Sequence, residues 1–280
     1  MNDSVALPIP PDETRFTLEK FAAHPFYQEI NRRLVALTGL TRGQHVVDLG
    51  AGTGAVTRLL AEEVANEGAE VIAVEPSTTA IEVATRNLEN IRGAVVRFMQ
   101  GSAERLSSIV RGPVDAVFFC NAIHLVPEKE QVLEEIKRTL REDGTFSFNT
   151  TFYRGAEPPE SELFYRKWMI RALRSLKTNY GIMPDKTRAE ARHQLSEDEY
   201  IQLLEDNGFK ITKKEVMQVE MPLSSFESIS EYSLWIEGVM PGVPLEAGAE
   251  SLKKGAREAF AELDLKFSPR NWLLIVASRA

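Results

Sequence analysis

Two acids and a glycine-rich turn carry the clearest chemistry in this chain. Val46-Val47 runs into Asp48-Leu49-Gly50-Ala51-Gly52-Thr53-Gly54. A glycine-rich turn between a buried strand and a helix lets a ligand come close to the main chain, because no Cβ stands in the way. Taken alone the turn is ambiguous. Gly50-x-Gly52-x-x-Ala55 also satisfies the dinucleotide fingerprint, in which a diphosphate rests on a helix N-terminus. Asp48 separates the two readings, since a carboxylate beside the loop suits a cationic ligand and is poorly placed for a diphosphate. A ligand with a sulfonium and an ammonium meets that condition. The competing role for Asp48 is to brace the loop through backbone hydrogen bonds.

Glu75 closes the apolar run Val71-Ile72-Ala73-Val74. A carboxylate is an acceptor-only group and can take two hydroxyl protons; the alternative is a solvated strand end. Gly101-Ser102-Ala103-Glu104 and Asn121-Ala122-Ile123-His124 follow two further strand-like runs. His124, just past a strand end, could take a proton from an acceptor hydroxyl, amine or activated carbon. It could equally cap the next helix or line a cofactor pocket. His24, His193 and Tyr27 fall in expected cap segments within reach of a substrate. Phe152, Tyr153, Trp168 and Trp235 are either cap core or a substrate box. Cys120 is the single cysteine, so it makes neither an internal disulfide nor a metal cluster, and it reads as a small buried hydrophobe. No metal site is readable.

These residues must be held by alternating elements. Strands are expected at His45–Leu49, Val71–Val74, Ala94–Met99, Asp115–Cys120 and Thr145–Phe152, the last entered through an Asp143-Gly144 turn. Between them lie amphipathic helices. One spans 54–67 with Val56, Leu59, Leu60 and Val64 inward, and Gly68 ends it. Another is capped by Ser77 with Ala80, Ile81, Ala84 and Leu88 inward; a third has Val132, Leu133, Ile136 and Leu140 inward. Such alternation means a parallel sheet covered on both faces. Later in the chain, Ser196-Glu197-Asp198-Glu199 is a capping box opening a helix that Gly208 closes. Strands Phe209–Glu220 and Trp272–Ser278 follow. Between them a Ser224–Glu227 box heads one pattern, Phe226, Ile229, Tyr232 and Ile236, and Leu252, Ala256, Phe260 and Leu263 form another. Ser161–Leu176 is a further amphipathic stretch. The insertions read as a helical cap over the sheet's carboxyl edge, where ligands bind in such folds.

Asp48 to Gly54 resembles the first motif of class I S-adenosylmethionine-dependent methyltransferases, and the whole is closest to the ubiquinone/menaquinone-type small-molecule branch. The resemblance implies that Glu75, with Pro76 beside it, binds the ribose hydroxyls. It places Ser102 and Ala103 on the adenine side, although an aspartate is common where Ser102 stands. It has Asn121 offering a backbone carbonyl to the methionine amino group. It covers roughly residues 44–150 well. It implies a Rossmann-like, doubly wound α/β fold: a mostly parallel seven-stranded sheet with a reversed last strand and a helical cap. The cofactor would be S-adenosyl-L-methionine, leaving as S-adenosyl-L-homocysteine, and the methyl would pass to O, N or C of a small, partly apolar acceptor. A sulfonium is already an activated leaving group, so transfer mainly needs positioning and exclusion of water, and neither a metal nor a base is obligatory. The competitors are a nicotinamide-dependent oxidoreductase on the same kind of sheet and a cofactor-binding protein that has lost methyl transfer.

The bulk properties agree with a single globular domain. The chain has 280 residues, 43% hydrophobic and 26% charged, with a net charge of −8, which argues against a large nucleic-acid footprint. No apolar stretch reaches a membrane span, and Met1 to Thr17 lacks an apolar signal core, so a cytoplasmic protein is expected. The expected division is N-terminal cap helices over 1–43, a cofactor-binding core over 44–152 and cap insertions over 153–195 and 221–268. Segments 196–220 and 269–280 would then complete the sheet.

Overall fold

The computed structural model describes residues 16–185 and 194–280. Seven strands form one sheet: β1 His45–Leu49, β2 Glu70–Glu75, β3 Val95–Gln100, β4 Val114–Cys120, β5 Leu140–Thr150, β6 Phe209–Pro222 and β7 Phe267–Arg279. Their order is β3-β2-β1-β4-β5-β7-β6. Pairs among β1 to β5 are parallel, and β7 runs antiparallel to both β5 and β6. This is the seven-stranded, Rossmann-like sheet with a reversed last strand that the motifs imply.

Successive strand residues point to opposite faces, and both faces are buried. Val46, Val71, Phe118, Leu274 and Val276 join one apolar cluster, whereas Val47, Ile72, Phe119, Leu273 and Ile275 join the other. The first face is covered by α2 (Pro25–Thr38) and α3 (Ala55–Val64). The second is covered by α5 (Leu106–Ile109), α6 (Lys129–Thr139) and α8 (Glu197–Asp206). Two caps form as the sequence predicts. Ser77 Oγ accepts from Ala80 N at 3.2 Å at the start of α4 (Thr78–Leu88). Ser196 and Glu199 exchange both bonds of a capping box at the start of α8.

Three elements depart from the sequence reading. Leu140, expected inside a helix, caps α6 in extended conformation and pairs with Val114 as the first residue of β5. The next pair is Ala116 with Thr145, so 141–144 loop out around Asp143 at φ 59°, which is how the Asp143-Gly144 turn is accommodated. The Ser224–Glu227 box does not form. Pro222 is the N-cap of α9 (Leu223–Ile229), and the serines lie within the helix or at its end. Their hydroxyls donate backward, Ser225 to Pro222 O, Ser228 to Ser224 O and Ser230 to Phe226 O. Such back-bonding competes with helix continuation. The single pattern from Phe226 to Ile236 is accordingly two helices, α9 and α10 (Ser233–Val239), with extended Tyr232 between them.

The remaining helices, α1 (Glu19–Ala22), α7 (Pro159–Tyr180) and α11 (Leu245–Glu262), build the cap together with α9 and α10. α7 and α11 approach closely at Gly255, where a Cβ would lie 2.7 Å from Ala172 N and 2.8 Å from Trp168 O. Trp168 Nε1 donates to Leu252 O at 2.8 Å across the same contact. β6 and β7 also outrun the rest of the sheet. β5 pairs with β7 only as far as Thr150 with Leu273, but β6 continues to pair with β7 out to Pro222 and Phe267. The resulting two-stranded ribbon carries Arg270 and Trp272 past the carboxyl end of β5. No described helix is long and apolar enough to cross a membrane.

Candidate functional site

The glycine turn is fastened to the end of β2. Gly50 N and Ala51 N both donate to Val74 O, at 2.8 and 3.2 Å. Gly52 N donates to Glu75 Oε2 and Ser77 N to Glu75 Oε1, each at 3.0 Å. A buried carboxylate therefore grips the turn with one oxygen and the start of α4 with the other. Each oxygen has a second lone pair still able to accept. The glycines are not equivalent. At Gly50 (φ 69°) a Cβ would lie 3.2 Å from Ala122 Cβ, and at Gly54 (φ 88°) 2.8 Å from Leu88 Cδ1. At Gly52 it would meet nothing within 4 Å, so the turn presents bare backbone to open space there. Thr53 is buried, and its carbonyl accepts from Asn87 Nδ2 at 3.1 Å.

The neighbouring candidates follow the ends of β2, β3 and β4. Pro76 O accepts from Gln100 Nε2, tying the ends of β2 and β3 together. Ser102, in extended conformation, starts the short turn that buries Ala103. Asn121 adopts φ 50°, the left-handed region asparagine tolerates better than most residues. Its amide N–H donates to Asn149 O at 2.8 Å, and its Oδ1 accepts from Thr151 N at 3.3 Å.

Asp48 is engaged from within. It is 1% exposed and accepts from Thr57 Oγ1 at 2.6 Å, which fastens β1 to α3. Burial pushes its carboxyl up to about 7; hydrogen bonds from Thr57 work against this and the Glu75 charge adds to it. Burial likewise drives the Cys120 thiol and the Tyr27 hydroxyl upward, with Asp48 contributing to both. The sign of the pH dependence follows. An unfolded aspartate titrates near about 4, so between about pH 4 and 7 the folded chain holds a proton that the unfolded chain releases. Stability attributable to Asp48 is thus lost as pH rises through that window. Asp48→Asn keeps an oxygen for Thr57 and should flatten the profile, so denaturation midpoints for variant and wild type should diverge between pH 4 and 7. Parallel profiles would remove Asp48 as their cause.

Under the cap, past the carboxyl ends of β4 and β5, lies a small aromatic cavity of about 20 Å³, room for about one water. It brings together Asn121, Phe152, Trp168 and Trp235 from the sequence candidates. His124 does not line it. Its ring stacks on Phe152 with centroids 4.0 Å apart, and Nδ1 lies 3.3 Å from Thr150 Oγ1. Tyr27 packs at 5.6 Å on Phe21, a wall residue, without forming the wall. His24 contacts Ser228 Oγ at 3.1 Å, between the start of α2 and α9. Tyr153 belongs to the apolar cluster on the opposite sheet face, and burial pushes its hydroxyl up to about 12. His193 lies outside the described residues. Sequence reasoning missed Thr151, Tyr165, Arg270 and Trp272, all on the wall. A charged residue two positions before Trp272, on the same strand face, was the available signal for Arg270. Among the described residues, no group of three or more His, Cys, Asp or Glu is placed to hold a metal ion.

Residues 40–219 match the family model described as a methyltransferase domain. Mouse arsenite methyltransferase is 32% identical over 123 residues, which is 41% of this chain and 32% of that protein. The ubiquinone biosynthesis O-methyltransferase of Cupriavidus pinatubonensis is 33% identical over 103 residues, 36% of this chain and 39% of that protein. The chain thus spans well under half the length of either relative. Among solved structures, a Haemonchus contortus phosphoethanolamine N-methyltransferase complexed with S-adenosylhomocysteine has a TM-score of 0.57 at 18% identity. That match covers 96% of this chain and 57% of that one.

Proposed function

Since the chain belongs to the methyltransferase domain family, we propose that it transfers a methyl group from S-adenosylmethionine to O, N or C of a small acceptor held beneath the cap. The observation that carries this reading is the buried Glu75 carboxylate fixed between Gly52 N and Ser77 N, beside bare backbone at Gly52. That arrangement fits the donor. Two carboxylate oxygens with spare lone pairs suit a ribose diol, and the open turn admits a ligand against the main chain. Bound there, S-adenosylmethionine would supply an electrophilic methyl group.

The chain's own residues then have three tasks. Glu75 orients the nucleoside end, with Pro76, Ser102 and Ala103 shaping the neighbouring surface. Asn121 directly follows β4 and lines the cavity, which supports donor and acceptor meeting beside it. Asp48 acts through α3, by holding the start of that helix and hence the turn. The cap excludes water, which favours transfer by positioning alone. Its cavity is small, so an acceptor enters only as the cap shifts.

Calorimetry against S-adenosylhomocysteine and against NADH and NADPH tests the reading, together with incorporation of a tritiated methyl group into small molecules of a cell extract. Binding of S-adenosylhomocysteine alone and labelling of a small molecule are expected. Binding of a nicotinamide dinucleotide instead would overturn it.

A further inference from the structure

The walls of the cavity are rich in hydrogen-bond donors that have nothing to donate to. Among the described residues, six buried side-chain polar atoms lack a partner, and three of them belong to residues that line this one cavity: Tyr165 Oη, Trp235 Nε1 and Trp272 Nε1. A buried donor left unpaired is costly and calls for an explanation. Trp168 shows the contrast, since its indole N–H on the same wall is used by Leu252 O.

Arg270 stands among these donors. It is 6% exposed and, among the described residues, the only charged residue on the wall. Nε donates to Thr151 Oγ1 at 2.7 Å and Nη2 to Thr151 O at 2.8 Å, while Nη1 reaches the half-exposed Glu157 carboxylate only at 3.4 Å. A guanidinium has five N–H groups, so two are left over. Its carbon lies 5.0 Å from the Tyr165 ring centroid and 5.8 Å from that of Phe152. The Tyr165 hydroxyl lies beside the guanidinium without a well-formed hydrogen bond to it. Among the described residues, no carboxylate lines the wall. The site therefore offers one partly answered positive charge and three unpaired neutral donors, set in aromatic, methionine and isoleucine surfaces.

We propose that the acceptor is a carboxylic acid with an apolar or aromatic body, its carboxylate held by Arg270 together with Tyr165, Trp235 and Trp272. This rests on the methyl-transfer reading of the same site. A planar carboxylate matches the guanidinium fork and can accept from several donors at once. A single guanidinium, already shared with Glu157, suits a monoanion better than a phosphate dianion, for which the described wall residues supply no second cation. The aromatic rings accommodate the body of the acid and account for the small free volume, which a bound acid enlarges by displacing the cap.

All three tryptophans of the chain line the cavity, so their fluorescence reports its occupancy directly. The test titrates the full chain, saturated with S-adenosylhomocysteine, with benzoate, 4-hydroxybenzoate, phenylacetate and cinnamate and with the amide of each. At least one acid should bind about tenfold or more tighter than its amide, as expected for charge-assisted bonds. Arg270→Gln should erase that preference. Tyr165→Phe removes one donor while keeping the phenyl ring, and Trp235→Phe removes one while keeping an aromatic ring; each should weaken the acid several-fold and its amide less. These two variants decide the matter if Arg270→Gln does not fold. No acid exceeding its amide would overturn the proposal, as would phenyl phosphate outcompeting every carboxylate. Calorimetry of S-adenosylhomocysteine on the same samples reads the methyl-transfer assignment separately. If that ligand fails to bind while acids still exceed amides, the assignment falls and the carboxylate site stands.

Discussion

Glu75→Ala should weaken S-adenosylhomocysteine binding roughly ten- to a hundredfold, about 1.5–3 kcal/mol, the range for hydrogen bonds to a charged group. The side chain has two duties that must be told apart. It accepts from Gly52 N and Ser77 N within the protein, and it is expected to accept from the ribose hydroxyls of the ligand. Alanine removes both, freeing the turn as well as deleting the contact. Glu75→Gln retains one acceptor oxygen and nearly the same shape. If the ligand contact dominates, Gln should lose most of the affinity with little change in thermal stability. If the internal grip dominates, Gln and Ala should differ mainly in stability and the affinity loss should follow it. Calorimetry and thermal unfolding on both variants separate these cases. Wild-type affinity in Glu75→Ala would take Glu75 out of the site.

The parts of this molecule that sequence reveals are those set by local pattern. Val46-Val47 and Val71-Ile72 are apolar at consecutive positions because both sheet faces are covered, and that makes them recognisable as buried parallel strands. The turn at Gly50–Gly54 is legible because two of its glycines have no room for a Cβ and Gly52 presents bare backbone. Ser196 and Glu199 declare a helix start through their own exchanged bonds. What could not be read depends on tertiary pairing. Ser224 and Glu227 have capping-box spacing, yet Pro222, as the final residue of β6, fixes where α9 begins. Leu140 fits a helical face but ends up paired with Val114. Arg270 reaches the cavity only because β6 and β7 stay paired beyond the end of β5, a fact set by partners about fifty residues apart. Local periodicity therefore identifies the glycine turn, and long-range pairing builds the Arg270 side of the cavity.

His124→Ala should lower turnover by roughly a hundredfold or more if the imidazole takes the acceptor's proton. The position is suggestive because the residue follows β4, three positions after Asn121, at the sheet edge that carries the site. Its ring stacks on Phe152, which also packs against Trp235 at 5.7 Å. Thr150 Oγ1 faces Nδ1 at 3.3 Å, which holds the ring in place beside the wall. Phe152 N in turn donates to the same Thr150 hydroxyl, so histidine, threonine and cavity wall form one connected unit. The obstacle is distance, because Phe152, not His124, makes the wall in this closed arrangement. A base role therefore requires the Phe152 ring to move as the acceptor enters. Two measurements decide between base and scaffold. A base must be unprotonated, so the wild-type pH–rate profile should fall toward acid, and that limb should vanish in His124→Ala while S-adenosylhomocysteine affinity stays near wild type. A scaffold residue would instead give a modest loss of turnover, with the pH profile unchanged in shape and weaker thermal stability from the lost stack on Phe152. Phe152→Leu distinguishes them further, since it disturbs the stack but leaves the imidazole in place. Near-normal turnover of His124→Ala at saturating donor would leave positioning by Asn121 and the cap as the whole of catalysis.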